Sequence, residues 1–210
     1  MTKKGTLFVV SGPSAVGKGT ICDELAGRGQ VFLSVSMTTR PPRHGESDGK
    51  DYIFVSKEAF ERTVSEGGFL EYAEVYGNYY GTPKTPVAER LDAGEDVVLE
   101  IDVQGAMKIK EHCPDGVFVF ILPPSMEELR KRITGRAADT EKSIDLRLGK
   151  ALREIGCIGG YDYYIVNERL ETAVNRMEAI IEAARARVAE DAEALIRTYE
   201  EEGITCCIHQ

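Results

Sequence analysis

The fold is decided by residues 6–20, TLFVVSGPSAVGKGT. A run of β-branched and aromatic residues from Thr6 to Val10 follows a glycine and predicts a buried strand. A glycine-rich turn comes next, and apolar residues then recur at helical spacing from Lys18 to Ala26. The stretch therefore predicts a strand, a loop and a helix, which is half of a βαβ unit.

The loop of this unit has the pattern G-x-x-x-x-G-K from Gly12 to Lys18. Between a strand and a helix this pattern binds nucleotide phosphates, because glycines let backbone amides converge on the anion and the helix N-terminus adds N–H donors. Lys18 adds a point charge for the β and γ phosphates. The alternative is an ordinary glycine-rich turn with a solvated lysine. The predicted nucleotide-binding residues of this loop are Gly12, Pro13, Ser14, Ala15, Val16, Gly17, Lys18, Gly19 and Thr20.

The position after the lysine departs from the strict motif, which has Ser or Thr there as a Mg²⁺ ligand. This chain has Gly19 at that position and Thr20 one place later. The way in which magnesium is held therefore stays open at this point.

Two acids lie at the end of a second apolar run, Val97–Ile101, which predicts another strand. Period-two alternation points Glu100 and Asp102 to the same side, at the carboxyl edge where α/β sheets bind ligands. Paired carboxylates there suit a metal ion or its waters, so we predict Mg²⁺ ligation by Thr20, Glu100 and Asp102, directly or through water. The alternative is a strand-end acid that caps a neighbouring helix.

Further apolar runs place the rest of the core. Val117–Leu122 predicts a strand buried on both faces of a parallel sheet, and Tyr163–Val166 predicts a fourth strand. Apolar spacing from Leu170 to Tyr199 predicts one long amphipathic helix or two abutting ones.

Two stretches interrupt this α/β pattern. Residues 36–83 are rich in glycine, tyrosine and arginine and predict an inserted mixed α+β subdomain, and residues 125–154 are charged with helical spacing and predict a basic helical lid. The core would comprise residues 1–35, 84–124 and 155–210. The predicted fold is therefore a single α/β domain, with a P-loop three-layer core and a central parallel sheet.

Composition excludes several classes of protein. A hydrophobic fraction of 42% can fill a core, so wholesale disorder is excluded. The net charge of −9 argues against sequence-independent binding to nucleic acid or anionic membrane. The longest apolar run, Val117–Leu122, is far shorter than the roughly 20 residues that cross a bilayer, so we expect a cytoplasmic chain without a membrane partner. The cysteines lack C-x-x-C spacing and predict free thiols at Cys22, Cys113, Cys157, Cys206 and Cys207.

Within the insert, Arg40 and Arg43 flank a Pro-Pro bend. Proline stiffens the backbone, so that two planar guanidiniums can be aimed at one phosphate, each with bidentate hydrogen bonds. This pattern predicts a second phosphate site, apart from the glycine-rich loop.

From Gly5 to about Ile181 the chain resembles the guanylate kinase family. The resemblance rests on the glycine-rich loop and on S-x-S-x-T-T-R-P-P-R (34–43), G-x-x-x-G-x-D-Y (45–52), F-x-E (69–71), G-N-Y-Y-G-T (77–82), I-D-x-Q-G (101–105) and P-P-S (123–125). It implies that ATP and Mg²⁺ lie on the loop, that GMP or dGMP lies in the insert, and that a phosphoryl group passes directly between them. Ala15 and Thr82 stand where many members have glycine and serine, and neither change removes a polar group.

By position, the resemblance implies that the GMP phosphate is bound by Arg40, Arg43, Tyr52 and Tyr80, with Ser36, Glu71, Thr82 and Asp102 around the guanine. Glu100 is a further predicted substrate-binding residue. An ionised Glu71 can accept from both N1–H and the exocyclic amine of guanine, whereas adenine presents no matching pair of donors. The alternative for Glu71 is a solvated loop acid. For Tyr79, beside Tyr80, we favour a structural role in an aromatic pair.

The resemblance also implies a catalytic set of Lys18, Arg40, Arg132, Arg136 and Arg147, whose lid members close over the transferring phosphoryl group. Asn167 matches a residue that contacts the adenine of ATP, and the alternative is a turn or helix-cap asparagine.

Two other functions stay open. One is an inactive guanylate-kinase-like module that binds phosphorylated peptides through the same arginine pair, which the intact loop and lid arginines disfavour. The other is a kinase for another nucleoside monophosphate, which the combination of Ser36, Glu71 and Thr82 disfavours. The chain is expected to be a monomer or a homodimer.

Overall fold

In the computed structural model, which describes residues 4–75, 77–134, 141–188 and 192–201, the opening stretch forms strand β1 (Leu7–Ser11) and helix α1 (Lys18–Gly27). The strand begins and ends one residue later than predicted. It is buried along its whole length, with Phe8 and Val10 in one apolar cluster and Leu7 and Val9 in another. The strand therefore has packed layers on both faces.

The central sheet has five parallel strands. They are β2 (Phe32–Leu33), β7 (Val97–Glu100), β8 (Val117–Leu122) and β9 (Tyr163–Val166) together with β1, in the order β2-β7-β1-β8-β9. Parallel register places Val10 of β1 opposite Glu100 of β7 and Val119 of β8. The carboxyl ends of the central strands therefore meet at one edge, where the glycine-rich loop begins.

Helices cover both faces of this sheet, which confirms the predicted α/β class. On one face lie α1, α5 (Met126–Thr134), α6 (Glu141–Ile155) and α7 (Leu170–Arg185), and on the other lie α3 (Lys84–Asp92) and α4 (Val103–His112). A further helix, α8 (Ala192–Glu201), follows α7. The C-terminal apolar pattern thus corresponds to two helices.

The segment predicted as an insert forms a second, four-stranded sheet. Its elements are β3 (Met37–Thr38), β4 (Ile53–Phe54), α2 (Lys57–Ser65), β5 (Phe69–Val75) and β6 (Asn78–Pro83), and the strand order is β4-β3-β6-β5. One strand pair is parallel and two are antiparallel. The Phe60 ring stacks on Phe69 at 4.5 Å and on Tyr79 at 5.6 Å, which confirms the structural role of Tyr79.

The segment predicted as a lid contributes buried residues to the larger core cluster. Leu129 and Ile133 of α5 and Ile144 and Ala151 of α6 pack in the cluster that contains α1 and α7. These two helices are therefore anchored on the core by their apolar faces. Arg136 lies outside the described residues.

Cys22, Cys113 and Cys157 are free thiols, as predicted, whereas Cys206 and Cys207 lie outside the described residues. None of the described helices combines the length and the hydrophobicity needed to cross a membrane.

Candidate active site

The glycine-rich loop folds around the side chain of Lys18. The Lys18 Nζ atom donates hydrogen bonds to the carbonyl oxygens of Gly12, at 2.7 Å, and Pro13, at 3.1 Å. Burial lowers the pKa of Lys18, and the negative charge of Glu100 opposes this effect. The Lys18 ammonium group is therefore held inside the loop by two carbonyl oxygens. The alternative of a solvated lysine does not agree with this position.

Two glycines of the loop lie where any side chain would be strained. Gly12 has φ +141°, and a Cβ atom there would collide with the carbonyl oxygen of Ile121. Gly17 has φ +92°, and a Cβ atom there would lie 2.5 Å from Nδ2 of Asn167. Ala15 has φ +67°, a left-handed conformation that favours glycine.

Asn167 and Arg132 hold the outer side of this loop. The Nδ2 atom of Asn167 donates to the Val16 carbonyl oxygen at 2.8 Å, and Nη2 of Arg132 donates to the Asn167 carbonyl oxygen at 3.0 Å. Both residues line a pocket with Ala15, Gly17 and Thr20. The structure thus brings Arg132 and Asn167 to the outer side of the loop, and the closure of Arg132 over the transferring phosphoryl group stays a prediction. The Asn167 side chain holds the loop backbone, and its contact with adenine stays a prediction.

A cleft of about 290 Å³ opens between the loop and the second sheet. It collects most of the predicted substrate residues from segments that lie far apart in the sequence. Its lining includes Gly12, Ser14, Lys18, Ser36, Arg40, Arg43, Tyr52, Glu71, Tyr80, Glu100, Asp102, Lys150 and Glu154.

Glu71 is buried at one end of this cleft. It lies opposite Thr82 in the β5–β6 pair, and Thr82 Oγ1 donates to Glu71 Oε1 at 2.9 Å. Burial raises the pKa of Glu71 to about 7, although the hydrogen bond from Thr82 acts in the other direction. With 8% of its surface exposed, Glu71 is not a solvated loop acid, and that alternative is wrong.

The wall behind Glu71 belongs to the core helix α4. A Cβ atom on Gly105 would lie 2.8 Å from Glu71 Oε2, so the glycine leaves room for the carboxylate. Lys108 of α4 donates to the carbonyl oxygen of Tyr72, the residue after Glu71, at 2.7 Å. The carboxylate is therefore held between the second sheet and the core.

The two acids at the end of β7 differ in their surroundings. The strand ends at Glu100, and Asp102 is the N-cap of α4, with Oδ1 accepting from the Gly105 N–H at 2.7 Å. Asp102 lies beyond the end of the strand, so strand alternation does not place it, but both side chains line the same cleft, as predicted. Asp102 therefore caps helix α4, which is the alternative considered for an acid at the end of this strand. Burial raises the pKa of Glu100, and the positive charge of Lys18 opposes this shift.

The predicted magnesium ligands are not assembled in one pocket. Glu100 and Asp102 line the main cleft, whereas Thr20 is exposed and lines the pocket of Arg132 and Asn167. A Cβ atom on Gly19 would lie 3.4 Å from Glu100 Oε2. The described residues contain no cluster of three or more His, Cys, Asp or Glu side chains suited to a metal. The oxygen donors of Glu100 and Asp102 fit Mg²⁺ held chiefly by water and phosphate.

Arg40 is held by a carboxylate of its own loop. Its Nη1 and Nη2 atoms donate to Oε2 and Oε1 of Glu46, both at 2.9 Å, and Nη1 also donates to the carbonyl oxygen of Pro41 at 2.8 Å. Glu46 therefore engages one edge of the Arg40 guanidinium, and a bidentate phosphate contact would use the Nε–H and the remaining Nη2–H instead. Arg43 lies exposed at the rim of the cleft.

Tyr52 and Tyr80 stand beside this arginine. Their rings are 5.9 Å apart, and the guanidinium carbon of Arg40 lies 5.4 Å from the centre of the Tyr52 ring. Burial raises the pKa of Tyr52, so its hydroxyl stays protonated and can donate a hydrogen bond. Both tyrosines line the main cleft, as the prediction requires.

Lys150 and Glu154 of α6 also line the cleft, and sequence reasoning did not single them out. They form an ion pair with 3.5 Å between Lys150 Nζ and Glu154 Oε1. The sequence signal for this pair is the i, i+4 spacing of a lysine and a glutamate on one helix. Arg147 lies on the same helix but lines neither of the two pockets described above.

Comparison with known proteins gives a consistent result. A family model described as guanylate kinase matches residues 4–184. The chain is 57% identical to the guanylate kinase of Clostridium acetobutylicum over 188 residues, which covers 90% of each protein. It is 52% identical to the guanylate kinase of Clostridioides difficile, with 95% of this chain and 98% of that protein covered. The crystal structure of guanylate kinase from Anaplasma phagocytophilum matches with a TM-score of 0.75 and 39% identity, covering 89% of each chain.

Proposed function

The chain belongs to the guanylate kinase family, and on this basis we propose that its main cleft holds GMP against the γ-phosphate of ATP. It is a nucleoside monophosphate kinase that phosphorylates GMP. One observation carries the assignment of the site. A single cleft is lined both by the glycine-rich loop with Lys18 and by the buried carboxylate of Glu71.

Glu71 is proposed to select guanine. When ionised, its two oxygens accept from N1–H and the exocyclic amine of the base. Thr82 holds one of these oxygens in place, and burial makes an unpaired carboxylate costly. Adenine leaves that carboxylate without donors, so the site rejects it.

Arg43, Tyr52 and Tyr80 are proposed to bind the phosphate of GMP, with Arg40 contributing the part of its guanidinium that Glu46 does not engage. The first three line the cleft together, and the tyrosine hydroxyls add neutral donors beside the charge of Arg43. Arg40 lines the same cleft. This arrangement fixes the phosphate oxygen that attacks.

The reaction is proposed to be a direct in-line transfer, in which a GMP phosphate oxygen attacks the γ-phosphorus and ADP leaves. Such a transfer requires positioning and charge neutralisation rather than a protein nucleophile. Lys18 supplies a fixed positive charge, and Arg132, Arg136 and Arg147 are proposed to act from the lid side. Magnesium, held by Glu100 and Asp102 through water, would supply further positive charge at the phosphate oxygens.

The function is tested by measuring ADP formation with purified protein, ATP and Mg²⁺ while the acceptor is varied. We expect rapid ADP formation with GMP, formation also with dGMP, which carries the same base, and little with AMP, because only guanine satisfies Glu71. Acceptor-independent ADP formation would contradict the proposal. A protein that binds phosphorylated peptides without turning over GMP would correspond to the inactive module.

The affinity for GMP should depend on pH through Glu71. With a pKa of about 7, the carboxylate is ionised to about nine-tenths at pH 8 and to about one-tenth at pH 6. Because the ionised form binds guanine, affinity should fall about tenfold over this range. Calorimetric titration of GMP without ATP measures the change.

The control for this experiment is Glu71→Gln, since the phosphate of GMP itself titrates near pH 6. The variant keeps the phosphate's contribution and lacks the carboxylate, so its affinity should change less between pH 8 and pH 6. Equal pH dependence in the two proteins would rule out titration of Glu71 as the cause.

A further inference from the structure

The loop from Arg40 to Glu46 is organised around the Glu46 carboxylate. Besides the two bonds from Arg40, Glu46 Oε2 accepts from the backbone N–H of Arg43 at 2.7 Å. The backbone N–H of Glu46 in turn donates to the carbonyl oxygen of Arg43 at 3.1 Å. One carboxylate therefore fixes the side chain of one arginine and the backbone of the other.

Glu46 approaches the Arg40 guanidinium from outside the main cleft. Arg40 lines the main cleft, whereas Glu46 lines a neighbouring pocket formed with Asp23 and Lys50 and is absent from the lining of the main cleft. Arg40 is also packed against the rings of Tyr52 and Phe54, at 5.4 and 5.8 Å. Glu46 therefore holds the guanidinium from the side away from the substrate.

The ion pair between Arg40 and Glu46 is shielded from solvent and bidentate, and both properties strengthen it. The Arg40 side chain is 11% exposed and the Glu46 side chain 20%, so both are shielded from the solvent that weakens surface pairs. The guanidinium of Arg40 holds the pKa of Glu46 below its usual range, so the carboxylate stays charged at neutral pH. A bidentate pair of this kind restricts an arginine that otherwise has many rotamers.

We propose that Glu46 is a positioning residue for the acceptor phosphate. It fixes Arg40 and the backbone of Arg43 in the arrangement that binds GMP, so that the entropy of ordering these side chains is not lost on binding. This inference rests on the proposed function and assigns a role to a residue outside the cleft. A competing role, in which the carboxylate occupies the phosphate position, would require Glu46 to face the cleft.

The test is steady-state kinetics of Glu46→Ala with GMP and ATP varied in turn. We expect KM for GMP to rise about tenfold or more, and KM for ATP to stay within about twofold, because the defect is confined to the acceptor phosphate. Glu46→Gln keeps the shape and one acceptor oxygen, so its KM for GMP should rise less. If Glu46→Ala fails to fold, Glu46→Gln provides the same comparison.

The matched control is Glu95→Ala. Glu95 accepts two bonds of 2.9 Å from Arg90 in an exposed pair that lines neither of the pockets flanking Arg40. Its removal should change neither KM. A purely structural role for Glu46 predicts a lower melting temperature with an unchanged KM for GMP, and a competing anion predicts a lower KM. Either result overturns the proposal.

A double-mutant cycle adds the decisive comparison. If Glu46 acts through Arg40, adding Glu46→Ala to Arg40→Lys should raise KM for GMP less than it does in the wild type. Fully additive effects would refute action through Arg40. Wild-type turnover with GMP is measured alongside, and its absence would refute the proposed function itself rather than this role of Glu46.

Discussion

Lys18→Ala should lower the turnover number by at least about 100-fold, equivalent to about 2.7 kcal/mol of transition-state stabilisation. The Lys18 Nζ atom lies within the loop that is proposed to hold the transferring phosphates, and burial in the loop strengthens its interaction with developing charge. Arg132 does not occupy the same position, because it donates to the outer side of the loop. A coupled assay of ADP release measures the loss.

Because Lys18 also bonds two loop carbonyls, its removal could act through loop structure alone. Lys110→Ala is the matched control, since Lys110 Nζ similarly donates to a backbone carbonyl, that of Gly160, at 2.6 Å, but lies outside the cleft lining. We expect this control to retain near-normal turnover. Thermal unfolding checks that both variants are folded. If Lys18→Ala then turns over about as fast as the wild type, the proposed role of Lys18 is refuted.

Glu71→Ala should lower the preference for GMP over AMP by at least about 100-fold, measured as the ratio of their kcat/KM values. Sites that hydrogen-bond a substrate through buried polar groups discriminate by factors of about 10⁴, because the wrong substrate leaves those groups unpaired. The variant removes the buried carboxylate and with it the cost of binding adenine. KM for ATP should change little, since the glycine-rich loop is untouched.

Glu74→Ala is the control for this experiment. Glu74 belongs to the same strand, β5, but is exposed and does not line the cleft. Its substitution should leave the preference for GMP unchanged. A Glu71→Ala protein that still preferred GMP to the wild-type extent would show that the base is read elsewhere.

The core could be predicted because buried parallel strands leave a local signature. β1, β7, β8 and β9 appear as continuous apolar runs, and each was located within a residue or so of its observed bounds. β2 was missed because it has only two residues, and its place at the sheet edge depends on pairing with β7. Such pairing is not encoded in a local pattern.

The candidate site also contains residues that a local motif predicts and residues whose place depends on contacts between distant segments. Lys18 and the loop glycines were predicted because their chemistry is contained in one short motif. The burial of Glu71 depends on its pairing with Thr82 across two strands, and without the family resemblance a solvated acid was the simpler interpretation. The Arg40–Glu46 pair was missed because two charges six residues apart in a loop follow no helical or strand period.

The space that Gly105 leaves for the Glu71 carboxylate, together with the bond from Lys108 to Tyr72, ties the second sheet to helix α4. The acid that is proposed to read the base belongs to the second sheet, but the space that it occupies is left by Gly105 of helix α4, which packs on the central sheet. Residues 36–83 transplanted onto another kinase scaffold would therefore carry the acid without its back wall. If Glu71 reads the base as proposed, nucleobase choice in this chain is a joint property of the second sheet and of helix α4, and substitutions in either one at this contact would alter it.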